Sequence, residues 1–81
     1  MGERIQSFRA RLKHQEPLVG TFLKTPSPII CELLTHARLD VVCLDAEHAP
    51  FGRLEIDGCA AALHAADQPS LVRISADTTA D

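Results

Sequence analysis

Asp45, Glu47, His48 and Arg73 are the residues of this chain whose types and placing could carry chemistry. The first three lie in Asp45-Ala46-Glu47-His48-Ala49-Pro50, directly after the apolar run Val41-Val42-Cys43-Leu44. An imidazole is the side chain most readily poised as a general acid or base near neutral pH. A carboxylate close by can fix its tautomer and raise its basicity. Arg73 sits between Val72 and Ile74, where a charge is costly unless it is paired or stands at an open end. A guanidinium there could hold a carboxylate or an enolate oxygen through its forked donors. A plainer reading stands beside this one. Asp45 and Glu47 also suit a loop or a helix cap, His48 a solvated loop, and Arg73 an ion pair with Asp45 or Glu47 across neighbouring strands. Residue types alone leave both readings open.

The elements that must position these residues alternate along the chain. Ile5, Phe8 and Leu12 repeat at helical spacing and predict a helix over 3–14, ended by Glu16-Pro17. Residues 18–23, rich in β-branched and aromatic types, read as a strand with Gly20 as its weak point. Ser27 is placed to cap a second helix and Pro28 to open it, with Ile29, Ile30, Leu33 and Leu34 as its apolar stripe. Val41 to Leu44 does not alternate, so it reads as a parallel strand covered on both faces. Ile56, Cys59, Ala60 and Leu63 fit a third helix over 53–66, broken by Gln68-Pro69. Residues 70–75 form the last strand, and Asp77 could cap a further helix. Strands alternating with helices predict crossover units and a parallel sheet. The carboxyl end of such a sheet, where Asp45 to His48 fall, is where ligands bind.

Composition narrows the class. Of the 81 residues 46% are hydrophobic and 23% charged, which is ordinary for a globular chain. A net charge of −3 gives no reason to expect a nucleic-acid partner. No apolar run approaches the ~18 residues of a membrane span. The first residues lack a signal-peptide core, so a cytoplasmic protein is expected. Cys31, Cys43 and Cys59 are an odd number with no C-x-x-C pair, and they read as reduced core cysteines ahead of a zinc site. His14, His36 and His64 fall on predicted helices as surface residues, and Gly20 and Gly52 form no nucleotide-binding fingerprint. Three strands cannot close a barrel, which takes roughly 250 residues. Either more chain follows or a partner covers the sheet edges.

The run from Val41 to Pro50 resembles the signature of the HpcH/HpaI aldolases, metal-dependent pyruvate aldolases that cleave 4-hydroxy-2-oxo acids. Leu18-Val19-Gly20-Thr21-Phe22 is similar to the first strand of that family, and Pro69-Ser70-Leu71-Val72-Arg73 to its third. The resemblance covers nearly all of residues 1–81 but only about the first third of a family member. It implies the N-terminal part of a (β/α)8 TIM barrel of the phosphoenolpyruvate/pyruvate type. It further implies a bound divalent ion (magnesium, manganese or cobalt), a homo-oligomer such as a trimer or hexamer, and a small 2-oxo-acid substrate. By the same resemblance His48 is the acid/base, Asp45 the carboxylate that orients it, and Arg73 the residue beside the keto oxygen. Glu47 lies just behind them, and the metal-binding Glu and Asp are expected beyond Asp81. The sequence departs from the family pattern at Ala46, strained by ~1 kcal/mol if the position needs a positive φ, and at Arg38, where glycine often ends the second helix. A citryl-CoA or malyl-CoA lyase-like enzyme and a non-catalytic remnant are the alternatives, and the 81 residues alone are expected to be inactive.

Overall fold

The computed structural model describes residues 2–75, so the cap expected at Asp77 lies outside the described residues. The order is α1 (Glu3–Lys13), β1 (Gly20–Leu23), α2 (Pro28–Leu34), a 3-10 turn (Thr35–Ala37), β2 (Val41–Asp45), α3 (Arg53–Ala65) and β3 (Ser70–Arg73). Helices and strands alternate as expected. The three strands form one parallel sheet in the order β1-β2-β3. This is a partial (β/α) barrel, with Asp45 and Arg73 closing two adjacent strands.

The pleat sorts the strand residues onto two faces. Leu23, Val42 and Leu44 are buried and pack with Cys31 of α2 and with Cys59 and Leu63 of α3. The opposite face carries Phe22, Cys43 and Leu71, which the register brings into one row. Phe22 and Leu71 there are exposed and Cys43 half-buried, around an open cavity of about 260 Å3. The expectation that Val41 to Leu44 is covered on both faces is therefore corrected. Helices α2 and α3 cover one face, and the other stays open around Phe22 and Leu71.

Local chemistry accounts for most element bounds. The Ser27 hydroxyl accepts from the Ile30 N–H at 3.3 Å, and Pro28 opens α2. The apolar stripe expected on α2 is only partly used. Cys31 is buried and Leu34 half-buried against α3, whereas Ile29 and Leu33 are exposed. On α3 the expected stripe holds, with Cys59 and Leu63 buried and Ile56 against the core. All three helical segments are followed by a non-glycine residue in the left-handed region: Gln15 (φ 57°), Arg38 (φ 54°) and Asp67 (φ 55°). Ala46 is not among them, so the strain considered there does not arise. Gly20 earns its place in β1 by contact, since a Cβ there would lie 2.5 Å from the Val41 carbonyl oxygen.

α1 buries none of its residues fully and is tied down by polar contacts. Asp67, just past α3, accepts from the N–H groups of Arg4 (2.8 Å) and Ile5 (3.0 Å). Arg4 donates to the Leu39 carbonyl at 2.6 Å, and Arg11 pairs with Asp40 at 2.9 Å. The three cysteines are free thiols, and burial together with the neighbouring Cys59 pushes the Cys31 thiol up to about 12. His14, His36 and His64 are exposed, as read from the sequence. No helix among the described residues is long and apolar enough to cross a membrane.

Candidate active site

Asp45 is the last residue of β2 and Arg73 the last of β3, and the two are paired across the ladder. The parallel register thus sets a carboxylate beside a guanidinium at the carboxyl end of the sheet. Arg73 Nε donates to Asp45 Oδ1 at 3.2 Å, and Arg73 Nη2 donates to Asp45 Oδ2 at 2.6 Å. This forked pair is the strong, orienting form of the interaction. The Asp45 side chain has no exposed surface. Its carboxyl is held well below the usual carboxylate range, first by Arg73 and then by the amides of His48 and Glu47, against the opposing effect of desolvation.

Asp45 also folds the loop that follows it. Oδ1 accepts from the backbone N–H of Glu47 (3.1 Å) and of His48 (3.0 Å). An aspartate bonding to the amides two and three residues on closes a turn that a generic side chain would not. That turn delivers the His48 ring, which is 57% exposed, to the guanidinium. Arg73 Nη2 lies 3.1 Å from His48 Nδ1. Arginine has no acceptor atom, so Nδ1 must accept and the proton of the neutral ring belongs on Nε2. The Asp45 carboxylate is 3.7 Å from Nδ1, too long for a hydrogen bond. Asp45 therefore orients His48 through the loop backbone and through Arg73 rather than by bonding to the ring. Glu47 flanks both partners, 3.6 Å from Arg73 Nε and 3.9 Å from His48 Nε2.

The structure brings together all four residues singled out in the sequence. The two readings of Arg73 meet, because it is an ion-pair partner of Asp45 and also stands at an open strand end. One contributor was not legible. Phe22 of β1 lies under the guanidinium, with Arg73 Cζ 4.4 Å from the ring centroid. An aromatic residue inside a strand reads as core, and only the register of three strands reveals its neighbour.

No family model matches the chain. A hydroxypyruvate/pyruvate aldolase of Paraburkholderia phytofirmans is 36% identical over 63 residues, which are 78% of this chain and 24% of that protein. The crystal structure of a HpcH/HpaI aldolase/citrate lyase family protein from Burkholderia cenocepacia is 37% identical with a TM-score of 0.71, over 82% of this chain and 26% of that one. Over most of its length the chain is similar to proteins of the HpcH/HpaI aldolase/citrate lyase family. A crystal structure of the citrate synthase SbnG is similar too, 26% identical with a TM-score of 0.76, over 85% of this chain and 28% of that one. The chain spans about a quarter of the length of these family relatives.

The family implies a divalent ion, and the residues present do not fit one by themselves. Both Asp45 oxygens are engaged by Arg73 and two amides. Among the described residues no group of three or more His, Cys, Asp or Glu could hold a metal.

Proposed function

We propose that residues 1–81 form the N-terminal part of a single TIM-barrel domain whose complete form is a carbon–carbon lyase. Its substrate on this reading is a 4-hydroxy-2-oxo acid, and its products are pyruvate and an aldehyde. The observation that carries the proposal is the Asp45–Arg73–His48 cluster at the carboxyl ends of two adjacent parallel strands. Any divalent ion would take its carboxylate ligands from outside the described residues and would act there as a Lewis acid.

His48 takes the proton of the C4 hydroxyl. Its acceptor nitrogen is Nδ1, now occupied by Arg73 Nη2, so the substrate hydroxyl displaces that contact while Nη2 keeps Asp45. As the proton leaves, the C3–C4 bond breaks, the aldehyde departs, and the electron pair stays on C3 as the enolate of pyruvate. The proton taken by His48 is then returned to C3, which gives pyruvate and leaves the ring neutral again. Arg73 faces the keto oxygen, where negative charge develops, and a fixed donor at such a point is worth a large part of a rate enhancement. Asp45 keeps the guanidinium aligned, and Glu47 stands behind the pair.

The test is pyruvate release by the complete protein from a panel of 4-hydroxy-2-oxo acids. Chelator should abolish it, and His48→Ala should lower kcat by about 10²- to 10⁴-fold, the usual worth of a general acid or base. Turnover that persists in chelator would sink the reading. The likeness to a citrate synthase favours a second reading, an enzyme of the citryl-CoA or malyl-CoA lyase kind. Action on a coenzyme A thioester with none on free oxo acids would select it. Further expectations of the first reading are a cytoplasmic homo-oligomer, trimeric or hexameric, and an 81-residue segment without activity of its own.

A further inference from the structure

We propose that Phe22 is a positioning residue for Arg73, its ring fixing the tilt of the guanidinium that meets the substrate. This deepens the aldolase reading and rests on it for the substrate. Two observations carry it. Asp45 grips one edge of the guanidinium through Nε and Nη2, at 3.2 and 2.6 Å. Such a fork sets distance and in-plane angle, but it leaves the group free to rock about the edge it grips. The Phe22 ring supplies what the fork lacks, a surface 4.4 Å from Arg73 Cζ against which the flat face can rest.

Among the described residues Phe22 takes no part in the helix-packed core. Its side chain belongs to the sheet face opposite the helices, and the residue is 54% exposed. Phe22 pairs with Cys43, two positions before the Asp45–Arg73 pair on the same face. The ring and the long Arg73 side chain together bridge from β1 over β2 to β3 and meet 4.4 Å apart. Each of the three strands thus contributes one part of the clamp: ring, carboxylate and guanidinium. With Nε and Nη2 engaged, Arg73 Nη1 has no partner among the described residues, and it is the edge left to face an oxyanion.

The test compares Phe22→Leu, which keeps apolar volume and removes the π face, with Phe22→Trp, which keeps the face. Both are made in the complete protein. The first readout is the Arg73 Nε–H resonance by NMR. The ring over the guanidinium should shift it upfield and slow its exchange with water. Both effects should vanish in Phe22→Leu and persist in Phe22→Trp. The second readout is turnover of the oxo acid. Phe22→Leu should lower kcat by about tenfold with little change in KM, and Phe22→Trp should restore most of it, as a contact of cation–π strength would. An Arg73 resonance unchanged in Phe22→Leu overturns the proposal whatever the turnover. So does an equal loss of kcat in both variants. A resonance that responds as expected in a protein that cleaves no 4-hydroxy-2-oxo acid upholds the clamp and overturns the aldolase reading.

Discussion

Asp45 spends one carboxylate on three tasks: it closes the loop, grips Arg73, and through both sets the place of His48. Its carboxyl sits below the usual range because Arg73 and two amides favour the charged form. A folded value lowered in this way contributes stability that is present above the unfolded value of about 3.9, and that stability is lost as pH falls through the folded value. The urea midpoint should therefore owe nothing to this group's titration between neutrality and about pH 4, and should drop below it. Asp45→Asn should lower the midpoint at neutral pH and flatten the acid limb. Equal acid limbs in the two proteins would mean that Asp45 is not the linked group. The site was legible as far as residue types carry: an abrupt charged run after an apolar strand, and an arginine where a strand should be apolar. Its wiring was not. An Asp that bonds to amides two and three residues on looks in sequence like any loop Asp, so its indirect hold on His48 needs coordinates. Phe22 stayed hidden for a different reason, because its partner Arg73 lies two strands away and is joined to it only by register.

The elements were legible in order and in their centres, since hydrophobic period and the Glu16-Pro17 and Gln68-Pro69 breaks mark them. The face of α2 was not. Ile29, Ile30, Leu33 and Leu34 span too wide an arc to say which side packs, and the helix turns Cys31 and Leu34 inward while Ile29 and Leu33 stay outside. Helix ends offer a sharper test. Gln15 and Arg38 are exposed residues held at φ 57° and 54°, where a side chain costs ~1 kcal/mol or more and glycine costs none. Part of that gain is lost to the larger entropy of unfolded glycine. Gln15→Gly and Arg38→Gly should each stabilise by about 0.5–1 kcal/mol in urea titrations. A loss in either would show that the side chain does more than endure its backbone. Gly20 gives the opposite sign. Its missing Cβ would meet the Val41 backbone at 2.5 Å, and Gly20→Ala should destabilise by about 1–3 kcal/mol by forcing β1 away from β2.

At the scale of the whole molecule the sheet is finished on one side only. α2 and α3 cover Leu23, Val42 and Leu44, while Phe22 and Leu71 line an open face. On the covered side, Val72 pairs with Leu44 and is still 41% exposed, so α3 touches β3 but leaves part of it uncovered. The strand order leaves β1 and β3 with one unpaired edge each among the described residues. Exposed edges and apolar faces template association, and a net charge of −3 opposes it weakly. In a complete barrel, further strands would meet both edges and their side chains would fill the open face. The 81-residue segment prepared by itself should therefore self-associate as concentration rises and bind a dye that reports apolar surface. Leu71→Lys, on the open face and outside the helix-packed core, should weaken both effects and leave far-ultraviolet dichroism unchanged. Sedimentation velocity across a concentration series decides the point. A single species near 8.8 kDa at every concentration, with no dye bound, would mean that the open face and the two edges need no cover, and the case for a larger barrel around this site would lose its physical ground.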